Sequence, residues 1–357
     1  MNAVLWIRRL ALAGALLCFG VVVLGAYVRL TAAGLGCPDW PGCYGHITPL
    51  GAEANPHSVA AWPGAPLDVG KAWREMIHRY AASTLGLIVV AIAVLAIRAR
   101  RMRRVSVGYT LLLLATIVFQ GILGMLTVTW QLKPLIVTLH LVFGLTTLAL
   151  LWWLALSLRP RWPSGEHEQT LAAQATTVVR AGAPLTAARR LALAGLLALA
   201  VQIALGGWTS SNYAAFACPD FPKCHNAWLP VTDYRDAFVL WRGLGINYEG
   251  GVLDTPARVA IHFTHRLGAL VATLALALAA LVALRAGPKA SAPGTHSAAR
   301  AVLAALTLQV GIGIFMIWQG FPLWLATAHN AGAALLLLAT LWLNRTLREG
   351  LPLRTLR

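Results

Sequence analysis

Four histidines fall into two pairs that repeat along the chain, His78 with His140 and His265 with His329. Each lies inside an apolar run of helical length, where a polar ring is costly enough to mark a functional site by default. His78 stands near the start of its run, and His140 stands six residues after Pro134; His265 and His329 repeat the placement. Two imidazoles at matched depth on facing helices suit the two axial positions of one haem iron, with the macrocycle edge-on between the helices. A lone buried histidine is more often neutral and hydrogen-bonded to a carbonyl, Ser or Thr. Four of them, paired and in register, point to ligation. A zinc or copper site would call for three or four protein ligands, and only two or three per half stand together.

Beside the histidines the two halves differ. Glu75 stands three residues before His78, and His262 stands three before His265. That spacing puts both members of each set on one helix face. A carboxylate at a haem edge can accept a proton or stabilise a developing cation; the plainer role is an interfacial pair with Arg74 or Arg79. No carboxylate matches Glu75 in the second half, so one site is equipped for chemistry and the other for holding haem and passing electrons. His262 could be a further ligand, a propionate neighbour or a structural residue. Arg79 and Arg266 directly follow their histidines and suit haem propionates by bidentate pairing, or else snorkel to lipid headgroups. Arg29 has Ser210 as its counterpart and is assigned to the first site alone.

Four of the five cysteines form two C-x5-C pairs, Cys37 with Cys43 and Cys218 with Cys224. Both pairs fall in loops on the outer side, where an oxidising compartment favours disulfides. A shared zinc site is the rival, and for Cys37–Cys43 a redox role stands beside simple stapling. Cys18, within the first apolar run, is expected to be a buried packing residue.

The elements that must position these residues are helices crossing a membrane. Of 357 residues, 58% are hydrophobic and 11% charged, too little polar surface for a soluble domain of this size. Eight segments, about 10–30, 76–97, 106–130, 135–158, 191–211, 258–284, 300–319 and 323–344, have the roughly 20 apolar residues that a spanning helix needs. The ten-residue alternating strands of a membrane barrel are absent. The net charge of +17 invites a nucleic-acid reading, but the positions of the charges argue against it. Arg8 and Arg9, the run from Arg98 to Arg104, the arginines from Arg159 to Arg190, then Arg285, Lys289, Arg300 and the tail through Arg357 all fall on one side of an eight-span topology. The opposite loops carry most of the acidic residues, Asp39, Glu53, Asp220 and Asp254 among them. This positive-inside pattern places both termini in the cytoplasm, with membrane lipid as the surrounding partner. No small-residue cleavage pattern closes the first run, which is taken as a retained span, and no amphipathic transit peptide precedes it. A bacterial plasma membrane is expected. Trp62, Trp73, Trp130, Trp208, Trp241, Trp318 and Trp324 fit an outer aromatic belt.

The chain also repeats itself. Cys37-Pro38-Asp39-Trp40-Pro41-Gly42-Cys43 matches Cys218-Pro219-Asp220-Phe221-Pro222-Lys223-Cys224 at an offset of 181, His78 matches His265 at 187, and Gln120 and His140 match Gln309 and His329 at 189. Each half holds four spans, so both enter the membrane in the same sense, related by a pseudo-twofold axis along the membrane normal. The expected architecture is all-α: eight transmembrane helices in two pseudo-twofold-related four-helix bundles with structured outer loops. The divisions fall at 1–160 for the first bundle, 161–190 for a cytoplasmic linker and 191–357 for the second.

The ordered set Gly34-Leu35-Gly36-Cys37-Pro38-Asp39-Trp40-Pro41-Gly42-Cys43, Glu75-Met76-Ile77-His78-Arg79, Gln120-Gly121-Ile122-Leu123-Gly124 and His140 resembles the haem A synthases. His262-Phe263-Thr264-His265-Arg266 and His329 resemble that family's second bundle. The resemblance covers nearly the whole chain, except 159–190. It implies oxidation of the C8 methyl of haem O to a formyl group by successive hydroxylations, giving haem A for terminal oxidases. It implies haem O as substrate in the first bundle with His78 and His140 at its iron, Glu75 as the residue most directly needed, and a resident haem b on His265 and His329. Haem O synthase and an electron-transfer protein are the implied partners. The rival readings are a di-haem b-type electron carrier, which has no need of chemically unequal halves, and a haem exporter or chaperone.

Overall fold

The computed structural model describes residues 2–102, 105–159, 175–285 and 294–349. Runs of Leu, Ala, Val and Ile form eight long helices: α1 (Asn2–Leu30), α2 (Val69–Arg98), α3 (Val107–Thr129), α4 (Pro134–Ser157), α5 (Ala175–Ser211), α6 (Thr255–Arg285), α7 (Thr295–Trp318) and α8 (Leu323–Glu349). All eight are long and apolar enough to cross a membrane. The described residues contain no strand, only isolated bridges joining Cys43 to His46 and Cys224 to Ala227. In hydrocarbon a helix satisfies its own backbone, which is why such runs settle as helices.

Local signals set the boundaries. The Asp68 carboxylate caps α2 by accepting from the Lys71 N–H at 2.9 Å, and the Ser106 hydroxyl caps α3 at Tyr109 N–H. Pro134 occupies the first turn of α4, where its missing N–H costs nothing. Helix α2 begins earlier than the expected segment, so His78 lies nine residues inside it. Helix α5 begins at Ala175, so the second part of the expected linker is helical. The first part, 160–174, lies outside the described residues, as do Arg103, Arg104, Arg161, Lys289, Arg354 and Arg357 of the basic side.

Helices α1–α4 pack in a closed ring, α1 on α2, α2 on α3, α3 on α4 and α4 on α1; α5–α8 form a second ring in the same order. The rings meet through α4 with α5, α1 with α8, and α4 with α8. Exchanging the two halves leaves this set of contacts unchanged, consistent with the pseudo-twofold arrangement. One apolar core runs through both rings toward the end that carries the termini, with Ile7, Ile92 and Leu151 from the first and Leu276, Val302 and Leu336 from the second. Cys18 is buried in it. Trp208 departs from the expected belt: it is buried, and its indole N–H donates to Ala237 O at 2.9 Å. Trp62, Trp318 and Trp324 are exposed.

Candidate functional site

Helices α2 and α4 bring His78 and His140 together with ring centroids 6.5 Å apart and planes at 72°. Two imidazoles on opposite sides of one metal, each bonded at about 2 Å with a ring centre about 1.1 Å beyond the nitrogen, have centroids about 6.3 Å apart. The pair therefore stands at the separation that axial ligation of one iron requires. The Nδ1 atoms of His78 and His140 are both buried without a protein partner. Among the described residues no three His, Cys, Asp or Glu side chains converge as a metal cage. Two ligands with a macrocycle supplying the rest is the donor set that fits.

Each ring is seated against a glycine of a neighbouring helix. A Cβ built on Gly25 of α1 would come 2.8 Å from His78 Cε1, and one on Gly124 of α3 would come 3.3 Å from His140 Cε1. In the second ring Gly206 of α5 lies under His265 at 3.2 Å and Gly313 of α7 under His329 at 3.0 Å. Gly25 and Gly206 keep the offset of 181 seen in the cysteine loops, and Gly124 and Gly313 the offset of 189 seen for His140 and His329. Glutamines complete the frame. Gln120 Nε2 donates to His140 O at 2.8 Å, Gln202 Nε2 donates to His265 O and lies 3.0 Å from its Nδ1, and Gln309 Nε2 lies 3.3 Å from His329 Nδ1. The repeat marked Gln120 and Gln309 in the sequence without giving them a role. Gln202 has Val21 as its counterpart and carried no signal.

Over each histidine pair folds a disulfide-closed loop. Cys37–Cys43 and Cys218–Cys224 are both bonded, with Cα atoms 4.8 and 4.9 Å apart. The loops are near copies. Asp39 accepts from the N–H groups of Tyr44 and Gly45, and Asp220 from those of His225 and Asn226. Tyr44 and His225 each adopt a φ of +53°. At Asp220 slight burial raises the carboxyl pKa, but the two donated N–H bonds and nearby Arg266 outweigh it and hold it below the usual aspartate value. Arg79 donates to the carbonyls of Asp39 and Gly42, and Arg266 to those of Lys223 and Cys218. The two arginines that follow the histidines therefore clamp the loops onto their helices.

Glu75 is 4% exposed. Its Oε2 accepts from Cys37 N–H at 2.9 Å, and its Oε1 accepts from Arg79 Nη2 at 2.5 Å. Arg74 turns away to Gly70 O. In the second ring the same places are taken by His262 and Arg266, with Arg266 Nε donating to His262 Nε2 at 3.3 Å. A buried carboxyl–guanidinium pair in the first ring thus corresponds to an imidazole–guanidinium pair in the second, at otherwise matched positions. Gly36 explains the closeness on the first side. A Cβ there would lie 2.7 Å from the Lys71 carbonyl carbon, so the loop rests directly on the α2 backbone and delivers Cys37 N–H to Glu75. The matched residue is Ala217.

A cavity of about 1840 Å³ reaches all four histidines, Glu75, His262 and Arg29. That is well beyond the 300–1,000 Å³ of a typical small-molecule pocket. Arg29, expected to serve the first site alone, instead spans the rings. Its Nη2 donates to Ser210 O at 2.8 Å, and its guanidinium lies 4.0 Å above the Tyr213 ring. Lys133, 1% exposed, is a second cross-ring tie that nothing in the sequence announced. It donates to Gly243 O and sits 3.2 Å over the Trp241 ring, and burial holds its pKa below the usual lysine value.

The family COX15-CtaA, described as Cytochrome oxidase assembly protein, matches residues 8–341. A Heme A synthase of Shewanella oneidensis is 41% identical over 341 residues, 95% of either chain. One from Rhizorhabdus wittichii is 28% identical over 352 residues, covering 92% of this chain and 90% of the relative. One from Paracoccus denitrificans is 29% identical over 347 residues, covering 88% and 81%.

Proposed function

The chain belongs to the COX15-CtaA family of cytochrome oxidase assembly proteins, and on that premise we propose how its two helical rings divide the work of haem A synthesis. It is a multi-pass membrane oxidoreductase that acts on haem O, like the Heme A synthases it resembles along nearly its whole length. Residues 1–160 form the substrate unit, 161–190 the connection, and 191–357 the unit holding a resident haem b. The termini face the cytoplasm and both histidine pairs lie toward the outer side. Haem O synthase supplies the substrate, and an electron-transfer protein carries the reducing equivalents away.

The observation that carries this division is a pair of imidazoles with centroids 6.5 Å apart in a cavity also lined by a buried carboxylate that the other ring lacks. His78 and His140 hold the substrate iron and fix the porphyrin between α2 and α4. Glu75, steadied by Arg79 and Cys37 N–H, would take up protons released as the C8 methyl is oxidised to a formyl group, with water supplying the oxygen atom and four electrons leaving in all to the electron-transfer partner. His265 and His329 hold haem b, whose chemistry is electron transfer.

Replacement of Glu75 by Ala in the full chain tests the assignment. Chromatography of extracted haem should find no haem A, while the low-spin b-type spectrum of the second ring persists. Loss of that spectrum would place Glu75 in the architecture instead. His265→Ala should do the reverse and remove the b-type signal.

A further inference from the structure

Three arginines line the cavity that reaches the four histidines, namely Arg29, Arg79 and Arg266, and among the described residues no lysine does. Two of the three are committed. Arg79 donates to Glu75 and to carbonyls of the first loop, and Arg266 donates to His262 and to carbonyls of the second. Arg29 differs. It donates from Nη2 to Ser210 O at 2.8 Å, and its guanidinium carbon lies 4.0 Å from the Tyr213 ring centre. Its Nε is buried with no partner. Among the described residues it forms no ion pair, and the exposed Glu249 acts on it only from beyond pairing distance. A guanidinium presents five donors and a full charge, and where it leaves water with no anion beside it the lost hydration is not recovered. One carbonyl and one aromatic face offset only part of that. Arg29 therefore has room and need for a carboxylate.

Its place in the repeat points to which carboxylate. Arg29 and Ser210 are counterparts at the offset of 181 that also relates Gly25 to Gly206. The Arg29 side chain thus bonds its own counterpart, so in the pseudo-twofold arrangement it crosses the axis between the rings. Gly25 and Gly206 underlie His78 and His265. Arg29 and Ser210 follow them by four residues, on the same helix face and about one turn, ~5.4 Å, nearer the loops. A cation there stands at the loop-facing edge of a porphyrin on either histidine pair. Propionates are the carboxylates of a haem, and their cost in hydrocarbon turns them toward the loop end. On the reading of both pairs as haem sites, we propose that Arg29 is a shared carboxylate site, taking one propionate from the haem on His78 and His140 and one from the haem on His265 and His329. Arg79 and Arg266 are left to hold the loops. The second ring can carry Ser210 because the arginine of the first reaches across.

The test uses the purified full chain, freed of haem and titrated with iron protoporphyrin IX and with its dimethyl ester, which lacks the propionate charges. The low-spin bis-histidine spectrum is followed. His78→Ala confines the reading to the second pair, and His265→Ala confines it to the first. In each background the free acid should bind more tightly than the ester, and Arg29→Gln should cut that preference about tenfold or more. Arg29→Lys, which keeps the charge, should retain most of it. A preference unmoved at both pairs, or an equal loss for acid and ester, would make Arg29 a structural tie between the rings. A preference moved at one pair alone would end the sharing. Each of these overturns the proposal. If Arg29→Gln does not fold, Arg29→Met, of similar length and able to lie on Tyr213, is judged by the same criterion. Absence of any low-spin spectrum from a single-pair chain with Arg29 intact would bring down the haem-site reading itself, and the proposal with it.

Discussion

At the scale of single residues, the histidines act only as well as their seats allow. Gly25 leaves no room for a methyl beneath His78, so Gly25→Ala should displace the imidazole and weaken haem O binding at the first pair, with the second ring's spectrum intact. Gly20→Ala, where a Cβ meets nothing within 4 Å, is the control, and equal binding by both variants would show that the seat is irrelevant. The histidines that line the cavity were legible in sequence because an imidazole inside an apolar run needs a reason. The glycines were not. Glycine is common in membrane helices, and only coordinates reveal which one underlies a ring. Arg79 and Arg266 were placed at the right helix ends, but their partners are loop carbonyls, and nothing local announces where a loop folds back.

At the scale of elements, the first outer loop works because it lies flat on α2. Gly36→Ala would drive a Cβ into the Lys71 and Ala72 backbone, which cannot yield as a flexible side chain can. The loop should lift, Cys37 N–H should leave Glu75, and haem A formation should fall at least tenfold. Amide exchange in the loop should quicken while that of α6 does not; slow exchange beside lost activity would refute this route. The cysteine pairing was legible from spacing and compartment together. The length of α5 was not, because its early turns are less apolar than the span they lead into.

At the scale of the molecule, polar ties sew the rings together at the cavity rim. Arg29 donates to a carbonyl of the other ring and lies over its Tyr213. Arg29→Ala leaves that carbonyl unpaired and should cost about 1–3 kcal/mol, read as earlier thermal loss of both haem spectra in detergent. Loss of the first spectrum alone would return Arg29 to the first site. The repeat made two four-helix units legible, but not which helices join them, since both faces of α4 are apolar. The contacts between units, α4 with α5, α1 with α8 and α4 with α8, map onto themselves when the units trade places. A surface with that property is self-complementary: one four-helix unit could pair with a second copy to form a closed homodimer. Fusion into one polypeptide becomes necessary only when one copy must keep a glutamate and the other a histidine, because two identical subunits could never hold that difference.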